Sequence, residues 1–294
     1  MKKILLLINP FSGTHSLDLI NAKVAAVREK TADTEIVTHV IRDFDDSHRL
    51  TRQAVDEGYY AVVIVGGDGT ANSTGALLKG SDTALGIVPA GSGNGVGRHI
   101  GMDIDLEKAL SQVFTCHPVA VDTMEVNGRF CLGFAGTGFE AAVAHNFARS
   151  KHRGLVSYTT SALSEILRYD PPAVEVDIDG QTIKRTPFTM TFANSSQWGF
   201  DFRIAPAASM TSGKMKLVIL SDISQINAVQ AAYSLYKGKI HTFPSCETVD
   251  AAHVTVSGKK LVYHIDGEPF PATDRIEVVV RPASLKLLSP GRKI

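Results

Sequence analysis

At 294 residues the chain is long enough for about two domains of roughly 150 residues each. Its 30 basic and 30 acidic side chains cancel to a formal net charge of zero, which argues against general nucleic-acid binding and against long-range steering onto an anionic membrane. Hydrophobic residues at 44% and charged residues at 20% belong to a globular protein with a sizeable core.

In chain order, Ile4–Ile8 reads as a strand and Leu17–Val27 as a helix with one apolar face. Glu35–Ile41 reads as a strand, Ser47–Glu57 as a helix and Ala61–Val65 as a strand. Ala71–Leu78 looks helical, Ala84–Val88 extended and Leu106–Phe114 helical. Near-continuous β-branched runs separated by helices imply parallel strands buried on both faces, hence a doubly wound α/β domain over residues 1–121. After about Val121 the pattern changes. Asn127-Gly128 and Asp179-Gly180 sit between short apolar runs as two-residue hairpin signals, and Ser257-Gly258 suggests a third. Residues 122–294 are therefore expected to form an antiparallel β-rich domain with helices at Leu155–Leu167 and Ile223–Tyr236. The closing strands near Val278–Leu288 are left open between the two domains.

Cys116, Cys131 and Cys246 form no CxxC, and an odd number cannot all pair, so buried free thiols are expected. The apolar run Ile4–Ile8 after Met1-Lys2-Lys3 is shorter than the roughly 7–15 residues of a signal-peptide core. No run approaches the ~18–20 apolar residues of a membrane span. A cytoplasmic protein is expected, with any membrane contact peripheral and transient.

Three glycine-bearing loops each follow a strand: Asn9-Pro10-Phe11-Ser12-Gly13, Gly66-Gly67-Asp68-Gly69-Thr70, and Gly91-Ser92-Gly93-Asn94. Glycines let backbone N–H groups converge on phosphate oxygens, and a helix starting near Thr70 adds its positive end. Asp68 would repel a bare phosphate, so it is expected to meet a magnesium ion, directly or through water, or a substrate hydroxyl. The alternative is a structural turn in which Asp68 caps a helix. There is no GxxxxGKS/T and no protein-kinase signature, and the histidines include no HExxH pair. His145 and His152 read as surface or packed residues rather than ligands, and Trp198 and the aromatics of Phe192–Phe202 as core, with the lining of an apolar substrate pocket as the alternative.

These loops, with Ala71-Asn72, Gly136-Thr137-Gly138-Phe139-Glu140 and Asp266-Gly267-Glu268, resemble the diacylglycerol kinase catalytic-domain family, which includes sphingosine kinases and bacterial lipid kinases. The resemblance implies an α/β nucleotide domain followed by an antiparallel β-sandwich domain for the lipid, with ATP and Mg2+ as cofactors. It assigns Asn9, Ser12, Gly13, Thr38, Gly67, Asp68, Gly69, Thr70, Asn72, Ser92 and Gly93 to the nucleotide site, with Asp68 on the metal. Glu268 would accept the proton of the lipid hydroxyl with Asp266 beside it, and Glu140 would lie near the substrate's polar head. Two departures stand out. Gly95 follows Asn94 where many bacterial relatives carry Asp, and Ser212-Gly213 stands where relatives often carry the Asp-Gly of a structural magnesium site. A serine hydroxyl is a poor ligand for a hard cation. The implied activity is transfer of the γ-phosphate of ATP to a hydroxyl of diacylglycerol, a sphingoid base or a related lipid presented at a membrane surface. The rivals are a kinase for a soluble substrate such as NAD and a non-catalytic nucleotide- or lipid-binding regulator. Monomer and homodimer are both left open.

Overall fold

The computed structural model describes residues 2–11, 16–28, 33–148, 169–291 and 294. The expected helix Leu155–Leu167 lies outside them. The chain divides into two compact units. The first comprises Met1–Val121 with Ala283–Ile294, and the second Asp122–Pro282.

In the first unit, β1 (Lys2–Ile8) pairs in parallel with β2 (Thr34–Val40) on one side and β3 (Ala61–Gly66) on the other. β3 pairs with β4 (Ala84–Pro89), and Leu287 near the end of the last strand joins β4 at Leu85. Every residue of β3 and β4 is buried, as a strand covered by helices on both faces must be. The helices are α1 (Leu17–Arg28), α2 (Phe44–Asp56), α3 (Asp68–Leu78), α4 (Gly95–His99) and α5 (Leu106–Val113). The periodicity places the start of α2 at Ser47, but Asp43 caps it earlier by accepting from Asp46 N at 2.8 Å. Because β2 lies on one side of β1 and β3 on the other, the strand order reverses between β1 and β3. Ligands of open α/β sheets bind at the carboxyl ends of strands at such a point.

The second unit is entered through β5 (His117–Val126), which pairs with β6 (Arg129–Cys131). Its main sheet runs β12 (Cys246–Ala251), β11 (Met215–Leu220), β10 (Thr189–Ala193), β7 (Phe134–Gly138), β13 (His253–Ile265) and β14 (Glu268–Ser289). All these neighbours are antiparallel. β8 (Val174–Ile178) pairs with β13 and with β9 (Gln181–Arg185). Both faces of β11 are covered, which makes the unit layered. Met215, Leu217 and Ile219 point into one cluster with Phe192, Val256 and Val278, while Val218 and Leu220 point into a second. The second is closed by Ala231 and Leu235 of α7 (Gln225–Tyr236). α6 (Phe139–Ala148) follows β7 directly.

Asn127-Gly128 (φ 48° and 75°) and Asp179-Gly180 (φ 48° and 90°) close two-residue hairpins. Ser257-Gly258 does not. β13 runs through it, pairing Ser257 with Arg275 and Leu261 with Thr273, so the extra residues form a bulge. A Cβ on Gly258 would come within 2.9 Å of Leu261 Cδ2, so the glycine marks a crowded bulge rather than a turn. The real turn is Asp266-Gly267, at φ 47° and 82°, with Ile265 facing Glu268.

Candidate active site

The three loops of the first unit are bonded into one body. Asn9, at the end of β1, donates from its backbone to Val65 O (3.0 Å) and from Nδ2 to Thr70 Oγ1 (2.8 Å). The first loop is thereby tied to the start of α3 across the switch point. Gly67 and Gly91 meet backbone to backbone: a Cβ on Gly91 would lie 2.4 Å from Gly67 Cα. Gly91 is thus needed for loop-to-loop packing as well as for any ligand. Asn94, in the left-handed region at φ 54°, ties its own loop by accepting from Gly91 N (2.8 Å) and donating to Gly91 O (2.7 Å).

Asp68 completes the bracing. Its two carboxylate oxygens accept from Gly95 N (2.9 Å) and Val96 N (3.1 Å), where α4 begins. The sequence expects Asp68 on a metal, or capping the helix it opens. In the structure both oxygens accept from the N–H groups of another loop, each through one hydrogen bond. Burial pushes the carboxyl up from its ordinary value, against the downward pull of the N–H groups of Gly95, Val96 and Asn94.

What remains open is the first turn of α3. Its N-cap residue, Gly67, has no side chain to cap it, and among the described residues a Cβ on Gly69 would meet nothing within 4 Å. The leading N–H groups of a helix have no partner inside it, so this end suits an anion. Ser92 is exposed and Gly93 and Asn72 are half-buried. Thr38 lies level with Leu6 inside β2, where it accepts from Arg28 Nη2 at 2.8 Å. Ser12 and Gly13 lie outside the described residues.

In the second unit the acidic turn is anchored from below. Asp266 accepts from Leu132 N, Gly133 N and Phe134 N, each at 2.9 Å. A carboxylate holding three backbone N–H groups is a clamp on the β6–β7 connection, so Asp266 braces the turn that carries Glu268. Glu268 itself is exposed at the first position of β14. Glu140, expected near the substrate's head, is only 4% exposed. It receives Thr191 Oγ1 at 2.9 and 2.8 Å from its two oxygens and lies 3.7 Å from His264 Nε2. Burial raises its carboxyl above the usual range. Neither His264 nor Thr191 carries a local sequence signal, because only the pairing of β7, β10 and β13 brings them to Glu140. Ser212 turns onto its own loop, with Oγ 2.8 Å from Lys214 O and 3.1 Å from Ser209 O.

With this geometry in hand, comparison with known proteins is decisive. Residues 3–126 match the diacylglycerol kinase catalytic domain, and residues 133–289 match the YegS C-terminal NAD kinase beta sandwich-like domain. The chain belongs to the diacylglycerol kinase family. A diacylglycerol kinase from Mycobacterium tuberculosis is 27% identical, covering 98% of this chain and 95% of the relative. One from Bacillus subtilis is 25% identical over 91% of this chain and 90% of its own. A diacylglycerol kinase structure from Bacillus anthracis str. Sterne superposes with a TM-score of 0.77 at 16% identity, covering 100% of this chain and 98% of that one. It shares the fold. This diacylglycerol kinase family member is therefore a kinase, and its family uses ATP.

The residues present fit a nucleotide, since the uncapped α3 terminus and open Gly69 leave room for phosphates. Among the described residues no group of three or more His, Cys, Asp or Glu could cage a metal ion. Two glycine variants separate packing from binding. Gly69→Val is expected to keep the wild-type melting temperature and lose at least about tenfold in ATP affinity, because only ligand space is filled. Gly91→Val is expected to lower the melting temperature as well, since its Cβ strikes Gly67 backbone. Calorimetry beside thermal melts reads both, and unchanged ATP affinity in Gly69→Val would remove this loop from the site.

Proposed function

We propose that the protein transfers the γ-phosphate of ATP to a hydroxyl group of a lipid such as diacylglycerol or a sphingoid base. The observation that carries this reading is the single braced body of three strand-end loops around an uncapped helix terminus at the switch point. Phosphoryl transfer depends mainly on positioning and charge neutralisation rather than on covalent catalysis by the protein. Bound ATP supplies the phosphoryl group, and magnesium on its phosphates neutralises their charge. The backbone N–H groups of Gly69 and Thr70, with Ser92, Gly93 and Asn72, hold and orient the phosphates. Asp68 keeps the second and third loops in register, and Asn9 does the same for the first. Glu268 takes the proton of the attacking hydroxyl. Its exposure leaves it accessible to substrate.

A lipid acceptor implies work at a lipid surface. No described helix is long and apolar enough to cross a membrane. α7 supports peripheral contact instead. Val229 (77% exposed), Tyr233 (61%) and Tyr236 (54%) lie at i, i+4 and i+7 on the face opposite buried Ala231 and Leu235. Lys237 sits 5.7 Å from both tyrosine rings. Aromatic rings edged by a cation suit an anionic lipid interface. Turnover of labelled ATP on lipid vesicles, beside a soluble panel that includes NAD, tests the reading. Tyr233→Ala with Tyr236→Ala is expected to cut turnover on anionic vesicles about tenfold and to spare turnover on a dispersed short-chain lipid. Phosphorylation confined to a soluble acceptor would refute the lipid assignment.

A further inference from the structure

The turn that presents Glu268 is held at both of its central residues. Asp266 is fixed through its carboxylate by the β6–β7 backbone. Gly267 is fixed through its N–H, which donates to His264 Nδ1 at 3.3 Å. An imidazole that accepts at Nδ1 in its neutral form carries its hydrogen on Nε2. That nitrogen faces Glu140 Oε1 at 3.7 Å, too far for a good hydrogen bond but close enough for the carboxyl to favour this tautomer. Both side chains are 3% exposed. Glu140 is itself held by Thr191, and its carboxyl fills the space above Gly136, where a Cβ would lie 1.5 Å from Oε1 and 2.9 Å from His264 Nε2. The ring of His264 also packs edge-on against Phe134 at 5.4 Å. Every partner needed to fix the ring's orientation is therefore in place, and its outward nitrogen ends on the residue just before Glu268.

We infer that His264 is a positioning residue for Glu268, its tautomer and orientation set by Glu140, so that the two buried groups aim the exposed carboxylate without touching substrate. This rests on the reading that Glu268 accepts the hydroxyl proton. It also gives Glu140 a role reached through His264 rather than through the lipid head. A small misplacement of a reacting group can cost up to about 10²-fold in rate, so loss of the Gly267 tether is expected to act on kcat and to leave KM for ATP and lipid near wild type.

The experiment uses the full chain and three substitutions at His264. Asn places an acceptor oxygen where Nδ1 stood and is expected to retain kcat within about threefold. Gln, whose amide reaches the Nε2 position, and Phe, which keeps only the ring, are expected to lower kcat about tenfold. The deciding readout is the same set in the Glu268→Gln background, where nothing remains to be aimed and the His264 substitutions should cost nothing further. Equal losses in both backgrounds would show a merely structural role and overturn the inference. So would an Asn variant no better than Gln. Should His264→Phe fail to fold, the Asn and Gln pair carries the test unaided. If Glu268→Gln alone leaves kcat unchanged, the reading of Glu268 fails first, and the two failures are told apart.

Discussion

Replacing Glu268 with Gln is expected to lower kcat by roughly 10²-fold while ATP affinity stays near wild type. The substitution keeps the size and hydrogen-bonding outline of the side chain but removes its capacity to take a proton. General-base removal costs roughly 10²–10⁴-fold, and a loose phosphoryl-transfer transition state needs little proton removal early, which favours the lower end. Glu268 is exposed at a strand end, and its side chain braces none of the other described residues. The melting temperature should therefore hold, separating chemistry from fold. Steady-state kinetics with calorimetric ATP binding reads the split. Near-normal kcat would mean that Asp266-Gly267-Glu268 is a hairpin turn whose only working acid is the clamp Asp266.

Gly136→Ala should be the most damaging single methyl group in the second unit. Its Cβ would fall 1.5 Å from Glu140 Oε1 and 2.4 Å from Glu140 Cδ. Glu140 would have to leave a fully enclosed position and abandon Thr191. Disrupting a buried polar network of this kind costs about 3 kcal/mol or more. Glu140→Ala removes the main obstacle and leaves only the 2.9 Å approach to His264 Nε2, so the double variant should lose much less relative to Glu140→Ala than Gly136→Ala loses relative to wild type. Denaturant unfolding of the two single variants and the double variant completes the cycle. Additive losses would place the damage in the glycine's backbone instead of the carboxylate above it.

The parallel strands and the three loops were legible because strands buried on both faces read as unbroken apolar runs, and a ligand loop must follow each with glycine. What the acids do was not legible, since their partners are distant in the chain. Asp68 is bonded 27 and 28 residues onward, and Asp266 is bonded 132 to 134 residues back. A local motif marks both as acidic residues beside glycines and cannot say that each is a brace. Gly136 likewise reads as one more glycine of a Gly-x-Gly, and only the pairing of β7 with β10 and β13 shows that it makes room for a carboxylate. Ser257-Gly258 misleads for the same reason. A bulge and a hairpin use the same residues, and the choice belongs to the partner strand, which here continues past both halves of β13.

The most direct measurement is incubation of the purified protein with γ-labelled ATP and vesicles carrying diacylglycerol, a sphingoid base and related alcohols, with soluble acceptors alongside and products identified by mass. The account predicts label in a lipid whose mass has risen by one phosphate, strongly reduced in Glu268→Gln. Label only in a soluble acceptor, or ATP bound without any phosphorylated product, would contradict it.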